Sequence, residues 1–414
     1  MIEVRNTVLK ITGLESVVVA VPIKKVYPTS VGAFRGHVSA VLVKLRTDDG
    51  LVGIGESPVL SRGEFTKQIV DSCRPLLVGQ DPFDVDVIRR RLYANLNLIH
   101  FHLHAANWAV SGIDMAMWDL IGKSCNKPLY KLWGGAFRKK IPFWGWVAGG
   151  KLGAMARESK AFVKQGFTTL YTKVGIDEEW DFQAVKSMRE AVGYNGKIKI
   201  RVDANQAWSV STAIRMIKRL EKFELEFVEQ PVLMYNLDAL ARVRQAVDTP
   251  ILSHESSWTF YDALNVIKRD AADAIQLDPR FDAGFTGARI AAGMADAAGM
   301  SAVIHSFADL GVTTSSYLHL IASSPAFLHA NQTNYYALED DVIRGRLVFR
   351  DGCINVPERP GIGVDLDDEK VRKFARVYER EVNGKEFTRR AGQNWASLGI
   401  KSRGEEWVPR SPRC

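Results

Sequence analysis

The sequence predicts an α/β protein: a TIM-like (β/α) barrel preceded by an α+β module. Three observations carry that expectation. Residues 2–57 alternate like antiparallel strands, whereas from about residue 141 short β-rich runs take turns with helix-length amphipathic stretches. Those runs ("TTLYTK", "IKIRVD", "LEFVE", "PILSHE", "ADAIQLD", "SAVIH") are spaced like βαβ units, which implies parallel pairing. Each run also ends in a titratable side chain, as the strand ends of a barrel enzyme do. A doubly wound open sheet is the second architecture compatible with the pattern.

Length and composition set the bounds. The chain has 414 residues, 46% hydrophobic and 25% charged, which is ordinary for a globular protein with ample core. No apolar run approaches the roughly 20 residues of a membrane span, and the N-terminus lacks the apolar block of a secretory signal. Cys73, Cys125, Cys353 and Cys414 form no CxxC pair and read as reduced thiols of a cytoplasmic protein. The formal charge of +8 is spread among 47 acids, and residues 378–414 hold eight Lys/Arg against five Asp/Glu. No zinc-finger spacing or aromatic-interleaved basic helix accompanies it, so anionic small molecules are the expected partners rather than nucleic acid.

Along the chain, "ITGLESVVVAVPI" and "VSAVLVKLRTDDGLVGIGES" read as strands, with "DDG" as a hairpin turn. Residues 63–132 carry helical periodicity, as in "NWAVSGIDMAMWDLIGK". "GGAFRKKIPFWGW" marks a joint. "GIGES" is glycine-rich but sits in an antiparallel module, so a dinucleotide fingerprint is not expected there. His100, His102 and His104 alternate and would not share one helical face.

Beyond the joint the strand ends are Lys173, Asp203, Glu229, Glu255, Asp278 and His305, separated by 30, 26, 26, 23 and 27 residues. In a barrel the six fall in one ring. Singly, each has a structural reading: an Asp as a helix cap, a His as a satisfied core residue, a Lys that snorkels. As a set, three carboxylates facing one opening repel unless a cation neutralises them, and a hard divalent ion, Mg²⁺ first, does so. In "LYTKVG", Tyr171 and Lys173 share one face of their strand.

The series "YTK", "RVDANQAW", "FVEQP", "LSHES", "IQLDPRFDAG" and "VIHSF" resembles the mandelate racemase and muconate lactonizing enzymes of the enolase superfamily, on the mandelate racemase branch. The resemblance covers residues 3–375 and implies a (β/α)7β barrel with a capping domain: cap over 1–135, barrel over 136–345, and a C-terminal segment over 346–414 that returns to the cap, with a basic tail the resemblance does not reach. It implies Asp203, Glu229 and Glu255 as Mg²⁺ ligands, Lys173 as the acid/base on one face of the substrate, and His305, oriented by Asp278, on the other. Asn205 matches a substrate-binding position beside the metal, and Glu339 in "YYALED" the acid of the eighth strand. The family usually reads Lys-x-Lys where this chain has Tyr171 and Lys173, so the phenol replaces a cation, as a catalytic residue whose share of the work is open. Asp278 is expected to fix the His305 tautomer and raise its pKa.

The implied chemistry is removal of the proton α to a carboxylate through an enediolate. Dehydration of a sugar acid or diacid to a 2-keto-3-deoxy acid is the leading outcome, with racemisation, epimerisation or cycloisomerisation second. The cap loops 22–37 and 56–67 hold Lys24, Lys25, Tyr27, Arg35, His37 and Arg62, a lid polar enough for a polyhydroxy acid, with solvated loop charges as the alternative. Lys24, Tyr27 and Arg62 are the candidate substrate contacts. A Schiff-base aldolase built on Lys173 and a non-catalytic binding protein are remoter readings. The expected partners are a small-molecule carboxylate and further copies of the chain, with neither nucleic acid nor membrane.

Overall fold

A computed structural model describes residues 8–29, 32–34, 36–59, 62–98, 103–306 and 309–383. The first strands are β1 (Ile11–Pro22), β2 (Tyr27–Thr29), β3 (Gly32–Phe34), β4 (His37–Thr47) and β5 (Val52–Pro58). β1, β4 and β5 form an antiparallel sheet with β4 in the centre, and β2 pairs with β3. The "DDG" turn joins β4 to β5: Asp49 accepts from the Leu51 N–H at 3.1 Å, and Gly50 takes φ +87°.

Both faces of this sheet are apolar because both are covered. Val18, Ala20, Val41, Val43 and Leu45 pack with the cap helices, including Leu103–Ser124. Their neighbours Val19, Val21, Val38, Ala40 and Leu42 join the core that runs into the barrel. The glycines of "GIGES" serve close packing: a Cβ on Gly55 would stand 1.8 Å from the carbonyl oxygen of Gly112 on the helix.

β6 (Lys140–Pro142) pairs with β14 (Cys353–Asn355). Between them lie β7 (Gly145–Trp146), β8 (Thr169–Lys173), β9 (Lys199–Asp203), β10 (Leu225–Glu229), β11 (Ile251–Ser253), β12 (Ala274–Leu277) and β13 (Ser301–Ile304). These seven form one parallel sheet in sequence order. The ring closes through a short eighth segment. Trp144 N–H donates to Asn331 O at 3.1 Å, and Gln332 N–H donates to Ile304 O at 3.0 Å, so this segment bonds to both ends of the sheet. The barrel interior is filled by Trp144, Trp146, Tyr171, Phe227, Leu252, Ala274, Val303 and Ala330.

The helices between the strands carry their own caps. Asp177, Ser209, Asn236 and Thr259 accept first-turn N–H groups of helices Glu178–Val192, Val210–Leu220, Leu237–Ala246 and Phe260–Lys268. The strand-end acids Asp203 and Glu229 are therefore not the caps of the helices that follow them. Two later helices take acceptors from the cap instead. Asp114 accepts from Phe285 N–H at 2.6 Å, at the start of helix Phe285–Ala297. Glu56 accepts from Leu310 and Thr313 N–H at 2.9 and 3.0 Å, at the start of helix Gly311–Ser323. After the barrel, helix Asp368–Val377 lies against the cap, where Lys44 pairs with Asp368 at 2.7 Å and Tyr378 OH donates to Glu64 at 2.8 Å.

Candidate active site

Parallel register sets Lys173 beside Asp203 and Asp203 beside Glu229 at the carboxyl ends of β8, β9 and β10. Lys173 Nζ and Tyr171 OH both donate to the same oxygen, Asp203 Oδ2, the phenol at 2.7 Å. Tyr171 has no exposed surface; its ring stacks on Trp144 with centroids 5.1 Å apart. Burial first, and then the Asp203 charge, push its pKa well up, so the phenol stays protonated as a donor. Lys173 Nζ lies 5.7 Å from the Trp146 ring centre and 5.2 Å from that of Tyr171.

The chain turns sharply after these strands. Asn205, Gln206 and Gln230 take φ of +44°, +66° and +34°, a left-handed region that is costly without glycine. Hydrogen bonds hold them there: Asn205 N–H donates to Asp203 Oδ1 at 2.6 Å, and Gln206 N–H to Gln230 O at 2.8 Å. The turn brings Gln206 Nε2 to Glu255 Oε1 at 3.0 Å and Asn205 Nδ2 to the same atom at 3.4 Å. Glu255 opens a 3-10 turn directly after β11. His254 precedes it, with Nδ1 3.0 Å from Glu229 Oε1 and 3.2 Å from Glu255 Oε2.

The carboxylates sit in a charge-poor setting. Burial, then Asp203, push Glu229 upward. Burial would also raise Glu255, but His254 outweighs it and holds this carboxyl down. Burial would depress His254 itself, yet Glu255 and Glu229 hold its imidazolium up to about 10. Asp203, Glu229 and His254 each place a ligand atom within 4.8 Å of the others. Glu255 Oε2 and Asn205 Oδ1 are buried without a hydrogen-bond partner among the described residues. Buried carboxylates that share positive charge from one imidazole, with acceptors unused, fit a divalent cation with oxygen ligands.

On the far flank, His305 Nδ1 lies 2.8 Å from Asp278 Oδ2. Arg280 clamps Asp278 with Nε and NH2 at 2.7 and 2.6 Å, reaches Asp309 with NH1 at 2.6 Å, and lies 3.2 Å from His305 Nδ1. Burial would raise Asp278, but Arg280 and His305 hold its carboxyl well below the usual range. His305 departs from expectation: its pKa falls to about 3, through burial first and then the positive His254, with Asp278 only partly opposing. Arg280 adds a smaller push in the same direction.

Other candidates lie apart. Glu339 is exposed, with its N–H donating to Pro22 O at 2.9 Å, and no described contact joins it to the cluster. The closing segment carries Asn331, Gln332, Thr333 and Asn334, all buried. Lys24 Nζ donates to Tyr336 O at 3.0 Å, and Lys25 pairs with Glu158. Tyr27 is buried against Trp146, with ring centres 4.6 Å apart. His37 Nε2 is 3.1 Å from Glu381, and Arg62 is exposed beside helix Gly63–Ser72. Arg35, His100, His102 and the tail from 384 lie outside the described residues. His104 packs edge-on to Trp258 and Phe281 at 5.3 and 5.5 Å. Sequence reasoning passed over His254 and Arg280 although both stand in the quoted motifs. The signal available was a second titratable group one or two residues from a strand-end acid.

A (β/α) barrel with an α+β cap and this ring of side chains defines an enolase-superfamily enzyme. Residues 14–134 match the mandelate racemase / muconate lactonizing enzyme N-terminal domain, and residues 154–371 match the enolase C-terminal domain-like family. The chain belongs to the mandelate racemase / muconate lactonizing enzyme family. It is 29% identical to a chloromuconate cycloisomerase of Cupriavidus pinatubonensis over 362 residues, covering 84% of this chain and 94% of that one. It is 30% identical to an arabinonate dehydratase of Saccharolobus solfataricus over 340 residues, covering 79% and 88%. The dipeptide epimerase of Enterococcus faecalis V583, solved with Mg and the dipeptide L-Leu-L-Tyr, superposes with a TM-score of 0.80 at 28% identity, covering 86% and 99%. No helix among the described residues is long and apolar enough to cross a membrane.

Proposed function

We propose that the protein removes the proton α to a carboxylate and then eliminates a β-hydroxyl, turning a sugar acid or diacid into a 2-keto-3-deoxy acid. The observation that supports the proton-transfer reading is a chain of contacts: Lys173 bonds to Asp203, which lies in one buried cluster with Glu229 and His254, and His305, paired with Asp278, packs on His254. Asp203, Glu229 and Glu255 would hold Mg²⁺. When bound, Mg²⁺ would supply Lewis-acid stabilisation of the charge that proton removal leaves on the substrate carboxylate.

Lys173 takes the α-proton from one face, and its place against two aromatic rings keeps water from it. His305 works from the other face. Asp278 at Nδ1 leaves Nε2 as the working ring atom, and in its protonated form His305 gives the Nε2 proton to the hydroxyl that leaves as water. Asn205 Oδ1, a buried acceptor without a described partner, suits a substrate O–H. Tyr171 assists by holding Asp203 in place.

A second reading, epimerisation, rests on the same two-sided arrangement, because a base on each face also suits reprotonation with inversion. The test is a panel of sugar acids, diacids and dipeptides incubated with Mg²⁺ in D₂O. A 2-keto product from a sugar acid or diacid supports dehydration. Deuterium at the α-carbon with inversion and no 2-keto product replaces it by epimerisation, and no exchange in any carboxylate sinks both. Asp203→Asn, Glu229→Gln and Glu255→Gln should each abolish turnover and weaken Mg²⁺ binding sharply by calorimetry. Unchanged affinity in all three would remove the metal assignment.

A further inference from the structure

His254 does not behave as a core histidine should. Only 4% of its surface is exposed, so an imidazole there needs hydrogen-bond partners for its nitrogens. Its Nδ1 is 3.0 Å from Glu229 and 3.2 Å from Glu255, yet neither contact has the geometry of a hydrogen bond. Neither ring nitrogen has an aligned hydrogen-bond partner among the described residues. The backbone explains how the ring reaches this place. Neighbouring strand residues point to opposite faces, but His254 leaves the strand with φ −125° and ψ −84°, so His254 and Glu255 turn towards the same cluster. His254 N–H donates to Gln230 Oε1 at 3.0 Å, which pins the turn.

Asp203, Glu229 and His254 then present two oxygens and one nitrogen within 4.8 Å of each other, a separation that one ion can bridge. From these observations we propose that His254 ligates the divalent cation through Nδ1, beside the carboxylates. The proposal rests on the metal reading above and adds a nitrogen to it. A mixed nitrogen and oxygen set changes which ion the site favours. Mg²⁺ is satisfied by oxygen alone, whereas imidazole nitrogen adds affinity along the series from Mn²⁺ to Co²⁺ and beyond. The site should therefore prefer first-row ions over Mg²⁺ more strongly than a purely carboxylate site would.

The ring also meets a second imidazole. The His254 and His305 rings are 4.1 Å apart and tilted by 43°, so a ligated His254 would form a wall between the cation and the acid/base. Ligation requires a neutral imidazole, which removes the imidazolium from beside His305.

The experiment is Mn²⁺ titrated into the metal-stripped full-length protein and followed by EPR, with electron spin-echo modulation to detect coupled nitrogen. Histidine labelled with ¹⁵N assigns the nitrogen in the wild-type chain without any substitution. Coupling that follows the histidine label, vanishes in His254→Gln and persists in His305→Asn is the expected result. Calorimetry should show His254→Gln weakening Co²⁺ about tenfold or more relative to Mg²⁺, because the nitrogen lost favours the later ion. Bound Mn²⁺ without histidine coupling overturns the ligand and leaves the metal reading standing. Coupling retained in His254→Gln also overturns it, and a wild-type protein that binds no Mn²⁺ overturns both.

Discussion

Lys173 and His305 stand on two flanks of one opening, and the two flanks are built from different material. Around Lys173 the neighbours are rings: Trp146, Tyr171, Trp144 behind them, and Tyr27 from the cap. Among the described residues its charged hydrogen-bond partner is Asp203. Around His305 the neighbours are charges: Asp278, Arg280 and Asp309, joined by paired hydrogen bonds at 2.6–2.8 Å. An imidazole behind a carboxylate would gain a proton, but burial first and then the positive His254 outweigh Asp278, with Arg280 adding the least. The two flanks thus differ in kind: one holds an amine to a single carboxylate among rings, the other sets an imidazole in an ion network.

The largest effect should come from removing the two groups in turn. Lys173→Ala and His305→Asn are each expected to cost about 10²–10⁴ in turnover. Solvent deuterium exchange at the α-carbon separates them, because Lys173→Ala should lose exchange on its face. If the lysine variant exchanges freely on both faces, the contrast between the flanks is wrong.

A smaller loss is expected at Arg280. Arg280→Lys keeps the charge but not the fork that grips Asp278 and reaches Asp309 together. Turnover should fall about 10²-fold, the lower end of what a general acid or base contributes. The pH–rate profile should move as well, since an ammonium cannot grip both Asp278 oxygens and the ion balance beside His305 changes. An unmoved profile would make Arg280 a purely structural clamp.

Tyr171→Phe should be milder still. It removes one hydrogen bond to Asp203, worth about 1 kcal/mol or roughly fivefold, and should leave deuterium exchange measurable. Exchange lost in this variant but kept in Lys173→Ala would make the tyrosine the base.

The smallest effect concerns the junction rather than the chemistry. Burial raises Glu56 from 4.5 to about 8, with Asp309 adding to the shift. A carboxyl raised on folding binds protons more tightly in the native state. Its contribution is therefore fully present below its unfolded value and is lost as pH rises towards 8. Melting temperatures from pH 5 to 9 should show wild type losing its lead over Glu56→Gln as pH increases. A gap that stays constant across this range would mean Glu56 holds no excess proton.

Much of this was legible because parallel βαβ units repeat. Lys173, Asp203, Glu229, Glu255, Asp278 and His305 lie one unit apart, so spacing alone put them in one ring. The barrel and its cap were readable from the same texture. What escaped is what depends on local bends and on distant packing. The closing segment at Ala330–Gln332 is too short to show a strand period. Glu339 looked like its acid only because a strand end was sought there, and the chain had already left the barrel. Lys24, Lys25 and Tyr27 read as a polar lid, yet each meets a protein partner: a carbonyl, a carboxylate and an indole. His254 was hidden by the turn that faces it inward, because strand alternation puts it on the wrong side.

The two cap acids at the barrel helices bear on how this fold can be rebuilt. Glu56 serves Leu310 and Thr313 from 254 residues or more away, and Asp114 serves Phe285 from 171. A specificity lid borrowed from another member would have to bring matching acids at both places. Otherwise the helices that follow β12 and β13, next to Asp278 and His305, would begin with unanswered amides. Cap and barrel are therefore inherited as a matched pair, and a chimera assembled at the joint near residue 135 should be screened for these two plugs before it is screened for new substrates.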